Sequence, residues 1–278
     1  MTAGLVTSPL VRLDICGPKA APQGFKPLVR ENAFDVAELS IVTYLQALFY
    51  GKPLVLLPAV VLGRFQHGFI GYRPAAGDLA PRDLEGRRVG IRSHTVTTVA
   101  WVRGILAHDY GVDLDRVTWV SHEESHLAEF QDPPNVERID LKGRTLEQLV
   151  IEGEVDAAIL GAPVNERSGI RPLFPDPAAA AAAWYGAHGV VPINHLFVVN
   201  TDLSKTRPDV VHEIYRLLRQ AKEASPAIEH GVDVLPFGVE ANRKNLDLAI
   251  QYAFEQKIIP RRFVVDELFD ETTLGLGA

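Results

Sequence analysis

The chain has 278 residues, of which 47% are hydrophobic and 23% are charged, so it is long enough for two lobes that each have a core. Its formal net charge is −7 and its basic residues are scattered, which argues against nucleic acid as a partner. The one cysteine, Cys16, excludes an intramolecular disulfide framework, and we predict that it is a small buried side chain in a reducing compartment.

The sequence has no apolar segment of the length that a membrane span requires, and its N-terminal stretch lacks the basic and apolar regions of a signal peptide. We therefore expect a cytoplasmic protein with no membrane partner. A small-molecule carboxylate is the expected partner, and a homo-oligomer remains open.

Apolar runs of strand length alternate with helical patterns along the chain, which is typical of an α/β protein. Helices are predicted at residues 25–32, 40–50, 93–111, 145–153, 178–185, 208–225 and 242–256. Strands are predicted at residues 33–39, 53–61, 86–92, 117–120, 155–160 and 195–200. The regular alternation between residues 86 and 160 predicts a doubly wound unit.

We divide the chain into two lobes on this pattern. Residues 1–71 and 197–278 form a discontinuous first lobe, and residues 72–196 form a second, inserted α/β lobe. A ligand cleft is expected between them.

The stretch RSHTVTTVAW (92–101) contains polar residues where a strand ends and a helix begins. Free N–H groups, hydroxyls and the positive end of the helix dipole stabilise an anion at such a point. Ligands of open α/β sheets also bind outside the carboxyl ends of strands. The alternative is simple N-capping by Ser93 or Thr95. The candidate anion-binding side chains are Arg92, Ser93, His94, Thr97 and Thr98.

Three further clusters contain groups that handle anions or protons. Arg64 could bind a carboxylate with two parallel hydrogen bonds, and His67 could exchange a proton near neutral pH. Glu38 and Ser40 end a predicted strand, although a helix N-cap at Ser40 accounts for part of that pattern. His195 precedes an apolar strand, where a lone histidine is more often structural.

Residues 122–126 read HEESH, the H-E-x-x-H spelling of zinc peptidases. A peptidase site needs both histidines on a well-formed helix and a third ligand from elsewhere. His122 follows a strand by one residue, Ser121 and Glu124 have the spacing of a capping box, and two prolines follow soon after. We interpret the segment as a pocket-lining loop and short helix in which His126 contacts substrate, with no metal site.

Taken in order, these clusters resemble the 4,5-dihydroxyphthalate decarboxylases and their relatives on the type II periplasmic-binding-protein fold. The matching stretches are FDVAELSIVTYL, RFQHGFI, DLEGRRVGIRSHTVTTVAWVRGILAHDYGV, GEVDAAILG, RPLFPD, VPINH and the segment from residue 237 to 269. The chain departs from the usual pattern at Gln66 and Asn194. The resemblance implies two doubly wound α/β lobes with the ligand in the cleft. The site residues that it implies are Arg64, His67, Thr97, Thr98, Trp101 and His195.

The first functional hypothesis is a decarboxylase without a cofactor, acting on a hydroxylated aromatic carboxylic acid such as a dihydroxyphthalate-like diacid. His67 or His195 would donate the proton, and Glu38 would receive a proton from a substrate hydroxyl. Arg64 and the helix start at residues 93–98 would hold a carboxylate. The alternatives are a cytosolic solute-binding or sensor protein and a metal-dependent lyase or hydrolase that uses His122 and His126.

Overall fold

The computed structural model describes residues 6–165, 169–224, 227–229 and 231–277. Its helices are α1 (Pro22–Glu31), α2 (Ile41–Phe49), α3 (Thr97–Tyr110), α4 (Leu146–Glu152), α5 (Pro177–His188), α6 (Thr201–Thr206), α7 (Pro208–Glu223) and α8 (Val239–Glu255). Its strands are β1 (Val36–Ser40), β2 (Leu54–Gly63), β3 (Ile70–Tyr72), β4 (Arg88–Ile91), β5 (Thr118–Ser121), β6 (Val136–Arg138), β7 (Ala157–Ile159), β8 (Arg171–Pro172), β9 (Ile193–Asn200), β10 (Ile228–Glu229) and β11 (Val232–Asp233).

The six-stranded sheet has the order β6-β5-β4-β7-β3-β8. Its first four strands are parallel, and β3 and β8 add antiparallel pairings at one side. Because the chain continues from β4 to β5 on one side and later returns to β7 on the other, the strand order reverses beside β4. This arrangement confirms the doubly wound unit and places its switch point between the carboxyl ends of β4 and β7.

The other main sheet corrects the expectation of a second doubly wound lobe. It has three strands in the order β1-β9-β2, and β9 pairs antiparallel with both neighbours. The local β1–α2–β2 pattern was predicted correctly. Strand β9, which comes from far along the chain, lies between β1 and β2 and completes the sheet. Neither composition nor periodicity indicates this pairing.

Local signals set the ends of the helices that flank the site. Ser40 is extended, with φ −72° and ψ 142°, at the N-cap of α2. Helix α3 ends at Gly111, whose φ of 64° lies in the left-handed region that glycine adopts without steric cost. Both boundaries agree with the sequence prediction.

One hydrophobic core connects the three-stranded sheet with helices from both predicted lobes. It includes Leu196 of β9, Ile250 of α8 and Trp101 of α3, all at most 2% exposed. The polypeptide passes from the three-stranded sheet to the six-stranded sheet between Gly63 and Ile70, and it returns between Pro172 and Ile193. The lobe boundaries at residues 71/72 and 196/197 stay a prediction.

Two further expectations concern the surface and the membrane. Cys16 is exposed, so the prediction of a buried thiol was wrong. It lies in an N-terminal segment without regular secondary structure, where no apolar neighbours enclose it. Across the described ranges, no helix combines the length and hydropathy of a membrane span.

Candidate active site

A cavity of about 630 Å³ opens where the two sheets meet. It lies against the carboxyl ends of β4 and β7, since Arg92, Leu160 and Gly161 form part of its wall. This is the switch-point position at which open α/β sheets bind ligands. Eight of the predicted site residues line it, namely Glu38, Ser40, Arg64, Arg92, Thr97, Thr98, His126 and His195.

The two antiparallel strands β1 and β9 bring three of these side chains together. Glu38 and Ser40 are two positions apart on β1 and therefore point to the same face. His195 lies opposite Ser40 in the register of β9. His195 Nδ1 is 2.6 Å from Glu38 Oε1, and the two side chains are 13% and 32% exposed. The sequence prediction named all three residues but could not pair them.

A second imidazole of the cavity, that of His126, is hydrogen-bonded to one hydroxyl among the described residues. His126 Nδ1 lies 2.7 Å from Thr43 Oγ1, which lies 2.7 Å from Ser40 Oγ. Burial is the main cause that lowers the pKa of His126 to about 4, and the charges of Arg92, Lys26, Arg30 and His195 act in the same direction. His126 is therefore neutral near pH 7.

Hydrogen-bond donors lie together on one wall of the cavity, which Arg64, Thr98 and Asn194 help to form. Arg64 Nη2 and Asn194 Nδ2 both donate to Thr98 Oγ1, at 3.1 and 3.2 Å. Gln66 Nε2 donates to Asn194 Oδ1 at 2.7 Å and to the backbone oxygen of Arg64 at 3.0 Å. The two positions that depart from the family pattern are thus in direct contact. Together they hold Thr98 and Arg64 in place.

Arg64 brings a cationic group to this wall. Its guanidinium carbon lies 4.1 Å from the centre of the Phe69 ring, and within the described ranges it forms no ion pair with a carboxylate. Burial lowers the pKa of Arg64 below its usual value, and the charge of Glu229 opposes that change. A desolvated guanidinium of this kind favours an anionic ligand.

The N-terminus of α3 adds backbone donors to the same wall. Val96 is extended at the N-cap, and the first intrahelical bond runs from Ala100 N to Val96 O. The preceding N–H groups, those of Thr97, Thr98 and Val99, have no acceptor among the described residues. Free donors at a positive helix end bind carboxylate or phosphate.

Four predicted site residues lie outside the cavity. Trp101 Nε1 donates to Ile193 O at 2.8 Å within the core. His94 accepts hydrogen bonds from Arg103 at Nδ1 and at its backbone oxygen, and Ser93 Oγ has no partner within the described ranges. The helix start thus turns Thr97 and Thr98 to the cavity and Ser93 and His94 away from it.

His67, the fourth, lines a separate cavity of about 360 Å³. Its ring contacts Phe174 and Trp184 edge to face, and neither ring nitrogen has a hydrogen-bond partner in the described part of the chain. Burial lowers the pKa of His67 to about 4, with Asp109 opposing the change. Arg64 lines both cavities, whereas His67 lines the smaller one and not the larger one.

The HEESH segment forms no helix, which corrects the loop-and-helix expectation. Its backbone groups have partners elsewhere. The His122 and Glu123 N–H groups donate to Arg92 O, and Arg30 donates to the Ser125 and His126 oxygens. The predicted capping box is also absent, since Ser121 Oγ donates to Arg92 O and Glu123 O.

Without that helix, the geometry of an H-E-x-x-H zinc site is lost. His122 and His126 both line the cavity, and Glu124 pairs with Lys26 and Arg30 of α1. Within the described ranges, no group of three or more histidine, cysteine, aspartate or glutamate side chains is placed to hold a metal ion.

Sequence reasoning missed two residues that shape the site. Phe25 of α1 contacts the His126 and His195 rings edge to face, with centroids 5.4 and 5.2 Å away. Thr43 is fully buried between Ser40 and His126. Both sit inside apolar helical patterns, where no sequence signal separates a site residue from a core residue.

The architecture and the cleft define the class of fold. It is an α/β fold of the type II periplasmic-binding-protein kind. Solved structures with this fold include the alkanesulfonate-binding protein SsuA of Xanthomonas axonopodis pv. citri (TM-score 0.53, 15% identity, 90% of this chain and 85% of that one). SsuA of Escherichia coli is a second (TM-score 0.54, 11% identity, 91% and 80%), and the desulfurization enzyme DSZB is a third (TM-score 0.50, 15% identity, 91% and 92%). At these identities the likeness concerns the fold alone.

Sequence relatives are more specific. The chain is 31% identical over 196 residues to 4,5-dihydroxyphthalate decarboxylase of Comamonas testosteroni, covering 64% of this chain and 58% of that protein. It is 30% identical over 175 residues to the enzyme of that name from Pseudomonas putida, covering 57% and 66%. No family model matches the chain. The resemblance to the 4,5-dihydroxyphthalate decarboxylase-like family is confirmed, with alignments that span less than two thirds of either relative.

Proposed function

We propose that the protein is a decarboxylase for a hydroxylated aromatic carboxylic acid that binds in the 630 Å³ cavity. One observation supports this most directly: donors for a carboxylate and a hydrogen-bonded carboxylate–imidazole pair line the same cavity. The names of the two sequence relatives favour the same reaction and suggest 4,5-dihydroxyphthalate as the first substrate to test.

The donor wall would hold a carboxylate that stays on the substrate. Arg64 and the Thr98 hydroxyl offer hydrogen bonds, and the free N–H groups at the start of α3 add the field of the helix end. A diacid suits this wall, because one carboxylate can be anchored there while the other leaves as CO2.

The carboxylate–imidazole pair would deliver a proton. Loss of CO2 leaves an electron pair on carbon, and a positioned acid must protonate that carbon. His195 is suited to this role because Glu38 Oε1, 2.6 Å from Nδ1, fixes the orientation of the ring. We propose no step that uses a metal or an organic cofactor.

The test is the release of CO2 from 4,5-dihydroxyphthalate by the purified protein, with unhydroxylated phthalate as the control. The proposal predicts catalytic CO2 release from the hydroxylated acid. A thermal shift with a chemically unchanged ligand would instead favour a solute-binding or sensor protein. Absence of both binding and turnover across a panel of hydroxylated aromatic acids would contradict the proposal.

A further inference from the structure

Thr43 joins two cavity-lining side chains through a single hydroxyl. Its Oγ1 lies 2.7 Å from Ser40 Oγ and 2.7 Å from His126 Nδ1, and its side chain is 0% exposed. A threonine hydroxyl carries one proton and can also accept. Two polarities are therefore available: Ser40 donates to Thr43 and Thr43 to His126, or His126 donates to Thr43 and Thr43 to Ser40.

The two outer residues of this hydrogen-bonded row reach the cavity, whereas Thr43 in the middle does not. Ser40 and His126 line the cavity, and Thr43 is not part of its wall. Among the described residues, no hydrogen bond is made to His126 Nε2. The direction of these hydrogen bonds therefore decides what each end offers to a ligand. When His126 donates from Nδ1, its Nε2 is an acceptor and the Ser40 hydroxyl can donate into the cavity. When Ser40 donates to Thr43, Nε2 carries the proton and is a donor.

The surroundings of His126 disfavour a second proton on its ring. The ring is 8% exposed and packs on Phe25, while Arg92, Lys26 and Arg30 contribute positive charge. Burial and these charges lower the pKa of His126 to about 4. A proton that arrives at Nε2 must therefore be matched by one that leaves Nδ1, and Thr43 is its hydrogen-bonded acceptor.

We propose that Ser40, Thr43 and His126 form a proton relay that takes the proton of a substrate hydroxyl, with Thr43 as the positioning residue. The relay rests on the proposed decarboxylase function. It narrows the substrate class to acids whose hydroxyl is conjugated with the carbon that bears the leaving carboxylate.

The proposed reaction has three steps, and its proton transfers balance. First, the substrate O–H proton passes to His126 Nε2, the Nδ1 proton to Thr43, the Thr43 proton to Ser40, and the Ser40 proton to water. Second, His195 protonates the ring carbon, the bond from that carbon to the carboxylate breaks, and CO2 leaves. Third, the relay runs backwards and returns a proton to the product oxygen, while water reprotonates His195. The sum is one carboxylate and one proton converted into CO2 and the C–H product.

Thr43→Val tests the relay because it keeps the shape of the side chain and removes the hydroxyl. We expect kcat for CO2 release to fall by about 100-fold with little change in KM, since substrate binding does not involve Thr43. Thr43→Ser should restore kcat. Thr273→Val is the matched control: Thr273 is also 0% exposed, accepts from Asp270 N and lies outside the cavity wall. Wild-type kcat in Thr43→Val would overturn the relay.

Ser40→Ala interrupts the relay at its other end and covers the case in which Thr43→Val does not fold. We expect its kcat to fall by a factor similar to that of Thr43→Val. An unchanged kcat in a folded Ser40→Ala protein would contradict the relay.

A measurement without substrate separates failure of the relay from failure of the proposed function. The ¹⁵N shifts of the His126 ring report which nitrogen carries the proton. We expect them to differ between the wild type and Thr43→Val and to match between the wild type and Thr43→Ser. Identical shifts in wild type and Thr43→Val would overturn the relay whether or not CO2 is released. Absence of CO2 release by the wild type would contradict the proposed function, and the ring shifts would then decide the relay alone.

Discussion

Two imidazoles of the cavity, those of His126 and His195, contact the same ring, Phe25, but have different hydrogen-bond partners. His195 has a carboxylate partner and His126 has a hydroxyl partner. The Glu38 carboxylate fixes the orientation of the His195 ring, whereas burial and nearby cations lower the pKa of His126 and favour its neutral form.

At this scale the sequence indicated which residue types matter but not which of them meet. Residue type and strand ends named Glu38, Ser40 and Arg64 as candidates, the family resemblance added His195, and all four line the cavity. His67 is three positions from Arg64 and looked equivalent to it. The 3-10 turn at residues 67–69 directs it into a different cavity.

His67 gives a prediction for stability against pH. Its pKa is lowered from an ordinary 6.5 to about 4 by burial. Between these two values the unfolded chain binds a proton at His67 that the folded protein does not bind. The contribution of His67 to the free energy of unfolding is therefore fully present above pH 6.5. It is lost as the pH falls towards 4, and the loss is on the order of 3 kcal/mol.

Urea unfolding of the wild type and His67→Gln at several pH values between 7 and 4 measures this effect. We expect the free energy of unfolding of His67→Gln to depend less steeply on pH. His212→Gln, at an exposed histidine, is the control and should keep the wild-type slope. Equal slopes for the wild type and His67→Gln would contradict the assignment.

Helices and strands were predictable where one local signal governs them. Helix α3 has apolar spacing and a glycine stop; it ends at Gly111 as predicted, and it begins at Thr97 rather than at Ser93. The HEESH segment also had a local signal, a capping-box spacing, yet it forms a loop. Hydrogen bonds from Arg30 and to Arg92 O, both distant in sequence, satisfy its backbone instead. Tertiary contacts outweighed local propensity there.

Helix α3 crosses α8 at a glycine, and this contact gives a second stability prediction. A Cβ built on Gly104 would lie 2.0 Å from Tyr252 Cδ2. Tyr252 is 2% exposed and part of the shared core, so its ring has little room to move. We expect Gly104→Ala to destabilise the protein by about 1–3 kcal/mol, although alanine is the better helix former.

Thermal or urea unfolding checks this contact. Gly186→Ala is the matched control, because Gly186 lies inside α5 and a Cβ there would meet no atom within 4 Å. That variant should be neutral or more stable by up to about 1 kcal/mol. Similar stability changes in the two variants would contradict the steric account.

At the scale of the whole molecule, the cavity exists because two unlike sheets meet at one edge. The doubly wound unit presents the ends of β4 and β7 and the start of α3, and the antiparallel sheet presents β1 and β9. The first half of this arrangement was predictable, since parallel strands of adjacent β–α units leave a periodic pattern. The pairing of β9 between β1 and β2 was not, because it joins residues that are at least 130 positions apart. The cytoplasmic location and the oligomeric state stay predictions.

The central claim is that this cavity releases CO2 with His195 as the proton donor. The most direct test compares CO2 release by the wild type, His195→Gln and His108→Gln. His108 is matched to His195, since its Nε2 lies 2.6 Å from Glu255 Oε2, but it is outside the cavity wall. The account predicts that kcat falls by about 10²- to 10⁴-fold in His195→Gln and stays at the wild-type value in His108→Gln. Wild-type turnover in a folded His195→Gln protein would contradict it.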